Sequence, residues 1–285
     1  MYPELCKYFR FSRREPLKRT DQFMWEDADA TRCATDVLLR HLFQLRITLP
    51  ATHLLPHLTL RLNYVHFLED LCGGPDAWLR SGFTFHGLDI GVGASCIYPL
   101  LLRRLHPQIS LLATDINADS LQLAARNWNA NFGAQEATTT TTTATTTPLF
   151  ELRLVSEGQL LLAALRDGET VQFCMCNPPF FESTHAKAVR GKRSFGAVDS
   201  EVATTGGELA FVLQMIDESL ALGRRVGTYT SMLGLHSTLA PVLARLRQLA
   251  DAVEAHGSDV FAQGRMTRSV VWWRVAAKPH SDSSS

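Results

Sequence analysis

The chain has 285 residues, 46% of them hydrophobic, with 28 basic and 28 acidic side chains and a formal net charge of zero. That is enough apolar material for one large α/β core. The neutral balance does not mark a nucleic-acid binder, and no apolar run nears the roughly 18 residues that span a bilayer. Met1-Tyr2-Pro3-Glu4 carries no basic-then-apolar secretory pattern. The scattered cysteines lack the paired spacing of a zinc site. The expectation is an intracellular chain with reduced thiols. His53 and His57 are separated by Pro56, which argues against the helix that would make them a metal pair. No metal is expected.

Residues 1–30 are charged and aromatic and read as an ordered arm, with Lys7, Arg10, Arg13, Arg14, Lys18 and Arg19 clustered in it. Helical periodicity follows over Ala28 to Phe43, and again over Leu58 to Leu71, which contains Arg61-Leu62-Asn63-Tyr64. Gly73-Gly74-Pro75 breaks the pattern. The expected organisation is an N-terminal arm with helices over 1–75, an α/β core over 76–277, and a Ser-rich disordered tail over 278–285. Strands are expected near 84–90, 109–114, 149–155 and 171–176, with helices between them. The stretch Thr138 to Thr147 is all Thr except Ala144 and reads as a surface-loop insertion (138–147) without assigned function. Later come a helix opened by Gly206-Gly207-Glu208-Leu209 and running through Leu220, a strand over Val226 to Met232, and a helix over Leu239 to Leu249. A hairpin over Val260 to Arg274 turns at Gln263-Gly264-Arg265. A mostly parallel sheet with helices on both faces, closed by a hairpin, is a doubly wound, Rossmann-like α/β fold of the class I methyltransferase type.

Three features carry chemistry, and their order matters. Gly87-Leu88-Asp89-Ile90-Gly91-Val92-Gly93-Ala94-Ser95 joins an expected strand (Phe83 to Ile90) to an expected helix (Ala94 to Leu105). Its glycines let backbone approach a ligand, but the third glycine of the dinucleotide pattern is missing. Asp89 would repel a diphosphate. A carboxylate suits a cofactor without phosphate that carries a sulfonium and an ammonium, which is S-adenosyl-L-methionine. Asp115 ends the next strand, 22 residues past Gly93, where an acid commonly binds ribose hydroxyls. Taken alone, Asp115 is equally explained as a helix cap or a solvated turn. Asn177-Pro178-Pro179-Phe180 follows the buried run Val171 to Cys176. Prolines there can neither extend a strand nor open an ordinary helical turn. The Asn side-chain oxygen and the proline carbonyls are acceptors for an amine, and Phe180 is a face for a ring. A Pro-rich turn closed by a buried Phe explains the tetrapeptide by itself. In this sequence context it reads as a site for a nucleobase amine. Lys187, Arg190, Lys192 and Arg193 follow closely and are expected to contact phosphate, as are Arg265 and Arg268 at the hairpin, for which a solvated face is the competing reading.

The motifs Arg61 to Tyr64, Asp89 to Leu101, Cys174 to Phe181, Gly206 to Leu209 and Gln263 to Arg265 resemble the methyltransferase-like protein 16 family from about Tyr2 to about Val275. That family includes the U6 small nuclear RNA adenosine N6-methyltransferase and, as a bacterial relative, ribosomal large-subunit RNA methyltransferase F. The resemblance implies S-adenosylmethionine-dependent methylation of an adenosine amine in structured RNA. It carries cofactor contacts to Arg61, Gly91, Ser95, Asp115 and Asn177. A further contact falls near Gln159, where Glu157-Gly158-Gln159 replaces the family's Lys-Thr pattern. The chain starts close to the family's core, so lower RNA affinity or an RNA-binding helper protein is expected, with the chain itself a monomer.

The mechanism this implies flips the adenine out of its stack. Phe180 stacks on the base, worth on the order of 1–3 kcal/mol. Asn177 Oδ1 and the Pro178 carbonyl accept the amine hydrogens, with Pro179 stiffening the turn. Rival readings are a ribosomal RNA adenine methyltransferase, a protein-glutamine methyltransferase, a DNA adenine methyltransferase and a silent RNA-binding module. Nucleus or cytoplasm follows from which RNA is the target.

Overall fold

The central apolar runs have both faces hydrophobic, as strands covered by helices on either side require. The computed structural model describes residues 9–10, 22–23, 27–50, 53, 56–74, 77, 86–133, 137–138, 149–156, 158–179, 206–263 and 266–277. In chain order these form β1 (Phe9–Arg10), β2 (Gln22–Phe23), α1 (Ala28–Phe43), α2 (Leu58–Leu71), β3 (His86–Ile90) and α3 (Ile97–Leu105). There follow β4 (Ser110–Asp115), α4 (Ala118–Phe132), β5 (Ala137–Thr138), β6 (Phe150–Leu154) and β7 (Val171–Cys176). The last elements are α5 (Gly207–Leu222), β8 (Val226–Leu233), α6 (His236–Gln248), β9 (Val253–Gln263) and β10 (Met266–Val275).

β1 and β2 pair with each other, and the remaining strands form one sheet in the order β5-β6-β4-β3-β7-β8-β10-β9. β5 to β8 and their neighbours β3 and β4 run parallel, and the β9–β10 hairpin is antiparallel. From β3 the chain winds outward through β4 and β6, then returns to the other side of β3 with β7 and β8. The reversal lies between β3 and β7, the place where ligands bind in doubly wound folds.

Two cores sandwich this sheet. One packs α1, α2, α3 and α4 on the first face, with Trp128 stacked on Phe150 at 3.9 Å between ring centres. The other packs α5, α6 and Leu160–Leu165 on the second face, with Tyr229 stacked on Trp273 at 5.5 Å. Among the described residues no helix is long and apolar enough to cross a membrane.

Three boundaries within the described residues differ from the sequence expectation by three positions or more. α3 starts at Ile97, not Ala94, because Cys96 takes a left-handed conformation (φ 55°) that ends the preceding turn. α6 starts at His236, not Leu239, because buried Glu208 accepts from the Gly234 and Leu235 N–H groups and satisfies donors at the helix entrance. β9 reaches back to Val253 through half-buried His256 and through Glu254, Ser258 and Asp259, polar residues that an edge strand leaves in solvent.

Candidate active site

The glycine turn after β3 is fastened to the end of β4. Gly91 and Gly93 hold positive φ (72° and 62°), a backbone region that glycine enters without a side-chain clash. Their geometry aims three N–H groups at β4: Gly91 and Val92 donate to the Thr114 carbonyl at 2.9 Å, and Gly93 donates to Asp115 Oδ2 at 2.9 Å. Asp115 Oδ1 accepts from the Asn117 N–H at 2.9 Å. Burial pushes the Asp115 carboxyl up, against the pull of these N–H donors. Asp115 is therefore buried, not solvated, and the cap of α4 is Asn117, whose Oδ1 accepts from Asp119 and Ser120 N–H.

Asp89, next to this turn, is only 1% exposed, and among the described residues neither of its oxygens has a hydrogen-bond partner. Burial raises its pKa well above the ordinary carboxylate range, Asp115 adds to the rise, and Arg61 opposes it. Arg61 reaches in from α2. Its Nη1 donates to the Tyr98 hydroxyl at 3.0 Å, its guanidinium lies over the Tyr98 ring, and its Nε has no acceptor among the described residues. A buried carboxylate without partners is destabilising. Its presence here fits an ammonium group supplied by a ligand.

Asn177 leaves β7 on the opposite side of the switch point. Ile90 pairs with Cys176, so Gly91 and Asn177 leave the sheet side by side. Asn177 Oδ1 is buried and has no donor among the described residues. Pro178 is buried and Pro179 half-buried, while Ser95 closes the glycine turn half-buried. The structure thus brings Arg61, Asp89, Gly91, Gly93, Ser95, Asp115, Asn177, Pro178 and Pro179 to the carboxyl edge of β3, β4 and β7.

Other expected residues sit at the rim or outside. Gln159 is exposed on the loop after β6; that loop is tied to α5, where Gln214 Nε2 donates to the Gly158 carbonyl at 2.6 Å. Arg268 opens β10 at the same edge as Asn177, close enough for the charges of Glu208 and Arg61 to act on it; burial lowers its pKa. Phe180, Lys187, Arg190, Lys192, Arg193 and Arg265 lie outside the described residues. Among the described residues no cluster of His, Cys, Asp and Glu could hold a metal.

The sequence reading missed the apolar rim. Ile116 follows Asp115 and is 44% exposed; Leu154, paired with Asp115 across β4 and β6, is 60% exposed. Two exposed apolar side chains beside a polar crevice suit the flat face of a ring. An apolar residue directly after a strand-ending acid was the available signal.

Comparison with known proteins agrees with this geometry. A family model described as RNA methyltransferase matches residues 2–276. The RNA N(6)-adenosine-methyltransferase mettl16 of Danio rerio is 35% identical over 283 residues, covering 95% of this chain and 54% of the relative. The U6 small nuclear RNA (adenine-(43)-N(6))-methyltransferase of Dictyostelium discoideum is 31% identical, covering 95% and 51%. The chain spans about half the length of the curated relatives it matches. The catalytic domain of human Mettl16 in complex with the MAT2A 3'UTR hairpin 6 superposes with a TM-score of 0.75 at 33% identity, covering 96% of this chain and 89% of that one. The N-terminal domain of human METTL16 in complex with SAH gives a TM-score of 0.74 at 32% identity, covering 96% and 90%. The fold is that of a Rossmann-like class I methyltransferase, and the chain belongs to the RNA methyltransferase family.

Proposed function

We propose that this chain is an S-adenosyl-L-methionine-dependent RNA adenosine N6-methyltransferase acting on a structured RNA, of which U6 small nuclear RNA is the leading candidate. The observation that carries the reading is that, among the described residues, buried Asn177 Oδ1 and buried Asp89 both lack hydrogen-bond partners, on the two sides of the switch point. The names of the relatives and the solved complexes with an RNA hairpin and with SAH support it.

The residues present fit the cofactor. Asp89 offers an open carboxylate to its ammonium, Asp115 keeps acceptor capacity for hydroxyls, and Ile116 offers an apolar face. Gly91 and Gly93 have no side chain to block approach, and among the described residues nothing beyond their chain neighbours lies within 4 Å of where a Cβ would stand. Arg61, Ser95 and, at the rim, Gln159 complete the set. When bound, S-adenosylmethionine supplies an electrophilic methyl group on a sulfonium.

Asn177 Oδ1 and the Pro178 carbonyl accept the two hydrogens of the adenine amine. Both bonds hold the nitrogen so that its lone pair leaves ring conjugation and becomes the nucleophile. No strong general base is required, because the amine grows far more acidic as it is alkylated. Most of the rate then comes from positioning and preorganised acceptors. Phe180 stacks on the flipped base, while Lys187, Arg190, Lys192, Arg193, Arg265 and Arg268 hold phosphates around it. Residues 1–75 act as a layer that completes the site through Arg61. The protein works as an intracellular monomer, in nucleus or cytoplasm, with an RNA-binding helper protein where affinity requires one.

The test is transfer of labelled methyl to pooled RNA, DNA and protein, wild type against Asn177→Ala. Label in RNA as N6-methyladenosine, lost in the variant, is expected. Label in protein would reassign the activity to amide methylation. An Asn177→Ala enzyme with wild-type turnover would refute the mechanism.

A further inference from the structure

The ladder between β7 and β8 stops at the Cys174–Tyr229 pair, while the ladder between β7 and β3 runs on to Cys176–Ile90. β7 and β8 therefore part just before Asn177. The Cys176 peptide N–H, buried at that fork, needs an acceptor that β8 no longer provides. Tyr64 of α2 supplies it: the Cys176 N–H donates to the Tyr64 hydroxyl at 3.2 Å. Tyr64 and Thr230 of β8 are both fully buried.

The protons can be followed from one group to the next. Thr230 Oγ1 donates to the Cys174 carbonyl at 3.0 Å, so its single proton is committed. It lies 2.7 Å from the Tyr64 hydroxyl and must accept there. The order is Cys176 N–H to Tyr64, Tyr64 O–H to Thr230, and Thr230 O–H to the Cys174 carbonyl, with the Cys176 carbonyl, 3.2 Å from the Tyr64 hydroxyl, as a second and longer acceptor for the Tyr64 proton. Burial holds the Tyr64 phenol in its neutral, donating form. The chain of bonds spans the fork and holds Cys176, the residue before Asn177, through both its N–H and its carbonyl. Arg61 lies one turn earlier on the same helix face, so α2 sets both sides of the crevice.

We infer that Tyr64 and Thr230 are positioning residues for methyl transfer: they clamp the Cys176 peptide at the β7–β8 fork and so fix the Asn177 side-chain oxygen. The inference rests on the proposed function.

The experiment measures kcat and KM for methyl transfer to an RNA hairpin, with SAH affinity by calorimetry, in Tyr64→Phe, Thr230→Val, Thr230→Ser and the Tyr64→Phe/Thr230→Val pair. Tyr64→Phe removes the acceptor of the buried Cys176 N–H, Thr230→Val removes the group that orients the Tyr64 hydroxyl, and each should lower kcat about tenfold or more. SAH affinity and both KM values should stay within about twofold. Thr230→Ser keeps the hydroxyl and should restore wild-type kcat. The double variant should be little worse than either single one, since both break one chain of bonds. A wild-type kcat in Tyr64→Phe and Thr230→Val would overturn the inference, as would a loss confined to KM or to the folded fraction. If Tyr64→Phe does not fold, the contrast between Thr230→Val and Thr230→Ser decides. A wild-type enzyme that methylates no RNA overturns the proposed function and this role with it, whereas active wild type with unaffected variants overturns this role alone.

Discussion

Two crevices of this sheet handle buried polar groups in opposite ways. After β6, every buried charge is answered from within. Arg153 donates to Glu151 at 2.9 Å, to Glu169 at 2.6 and 2.7 Å and to the Ala164 carbonyl at 2.7 Å. Glu218 of α5 accepts from the N–H groups of Leu160, Leu161 and Leu162 at 3.2, 2.6 and 3.1 Å. At the switch point, Asp89, Arg61 Nε and Asn177 Oδ1 are buried without partners among the described residues. The first crevice is complete by itself, as a structural element is. The second leaves its buried polar groups open, as the proposed ligand site requires. Unmet hydrogen-bonding capacity at a topological switch point is what separates a site from scaffold.

The comparison can be broken by substitution. The largest effect is expected at Asn177→Ala, with a kcat loss of about 10³-fold and a thermal midpoint no lower than that of wild type, because a buried acceptor without a partner costs folding energy. Methyl-transfer kinetics and thermal melting on the same sample check this. Asp89→Asn should weaken SAH binding by about ten- to hundredfold, as removing a charged hydrogen-bond partner does. On the scaffold side, Arg153→Ala strands two carboxylates and should cost about 3 kcal/mol of stability in denaturant unfolding, with SAH affinity within about threefold.

The smallest effect concerns pH. Glu69 of α2 bonds His106 Nε2 at 2.5 Å and His66 Nδ1 at 2.6 Å. Burial pushes its carboxyl up, but the histidine bonds outweigh this and the net shift is downward. A lowered folded-state pKa means stabilisation that is present above the usual carboxylate range and lost as pH falls through the folded pKa. The melting-temperature gap between wild type and Glu69→Gln should therefore close in acid, below about pH 4. A gap independent of pH would contradict that assignment.

Much of the site was legible because its chemistry is local. The glycines, Asp89, Asp115 and Asn177-Pro178-Pro179 each sit at a strand end, and a strand end is visible in sequence. What was not legible depends on partners far away in the chain. Glu208 opens one helix yet serves the entrance of another, at Gly234 and Leu235. Thr230 meets Tyr64 across 166 residues, and neither position carries a local signal of the fork they bridge. β9 was misjudged in length because its polar residues face solvent on an edge, where alternation fails as a guide. Ile116 and Leu154 read as ordinary apolar strand ends; only the register shows them side by side and uncovered.

The central claim is that Asp89 is kept buried and unpartnered for a ligand at a cost to the fold. The most direct measurement follows Asp89→Asn by SAH calorimetry and thermal melting across pH. Burial raises the Asp89 pKa, so its charged form opposes folding increasingly as pH rises through that value. The account predicts that the variant loses SAH affinity while its melting temperature exceeds that of the unliganded wild type by a margin that grows with pH. A variant that binds SAH normally and melts below wild type would show Asp89 to be scaffold and contradict the account.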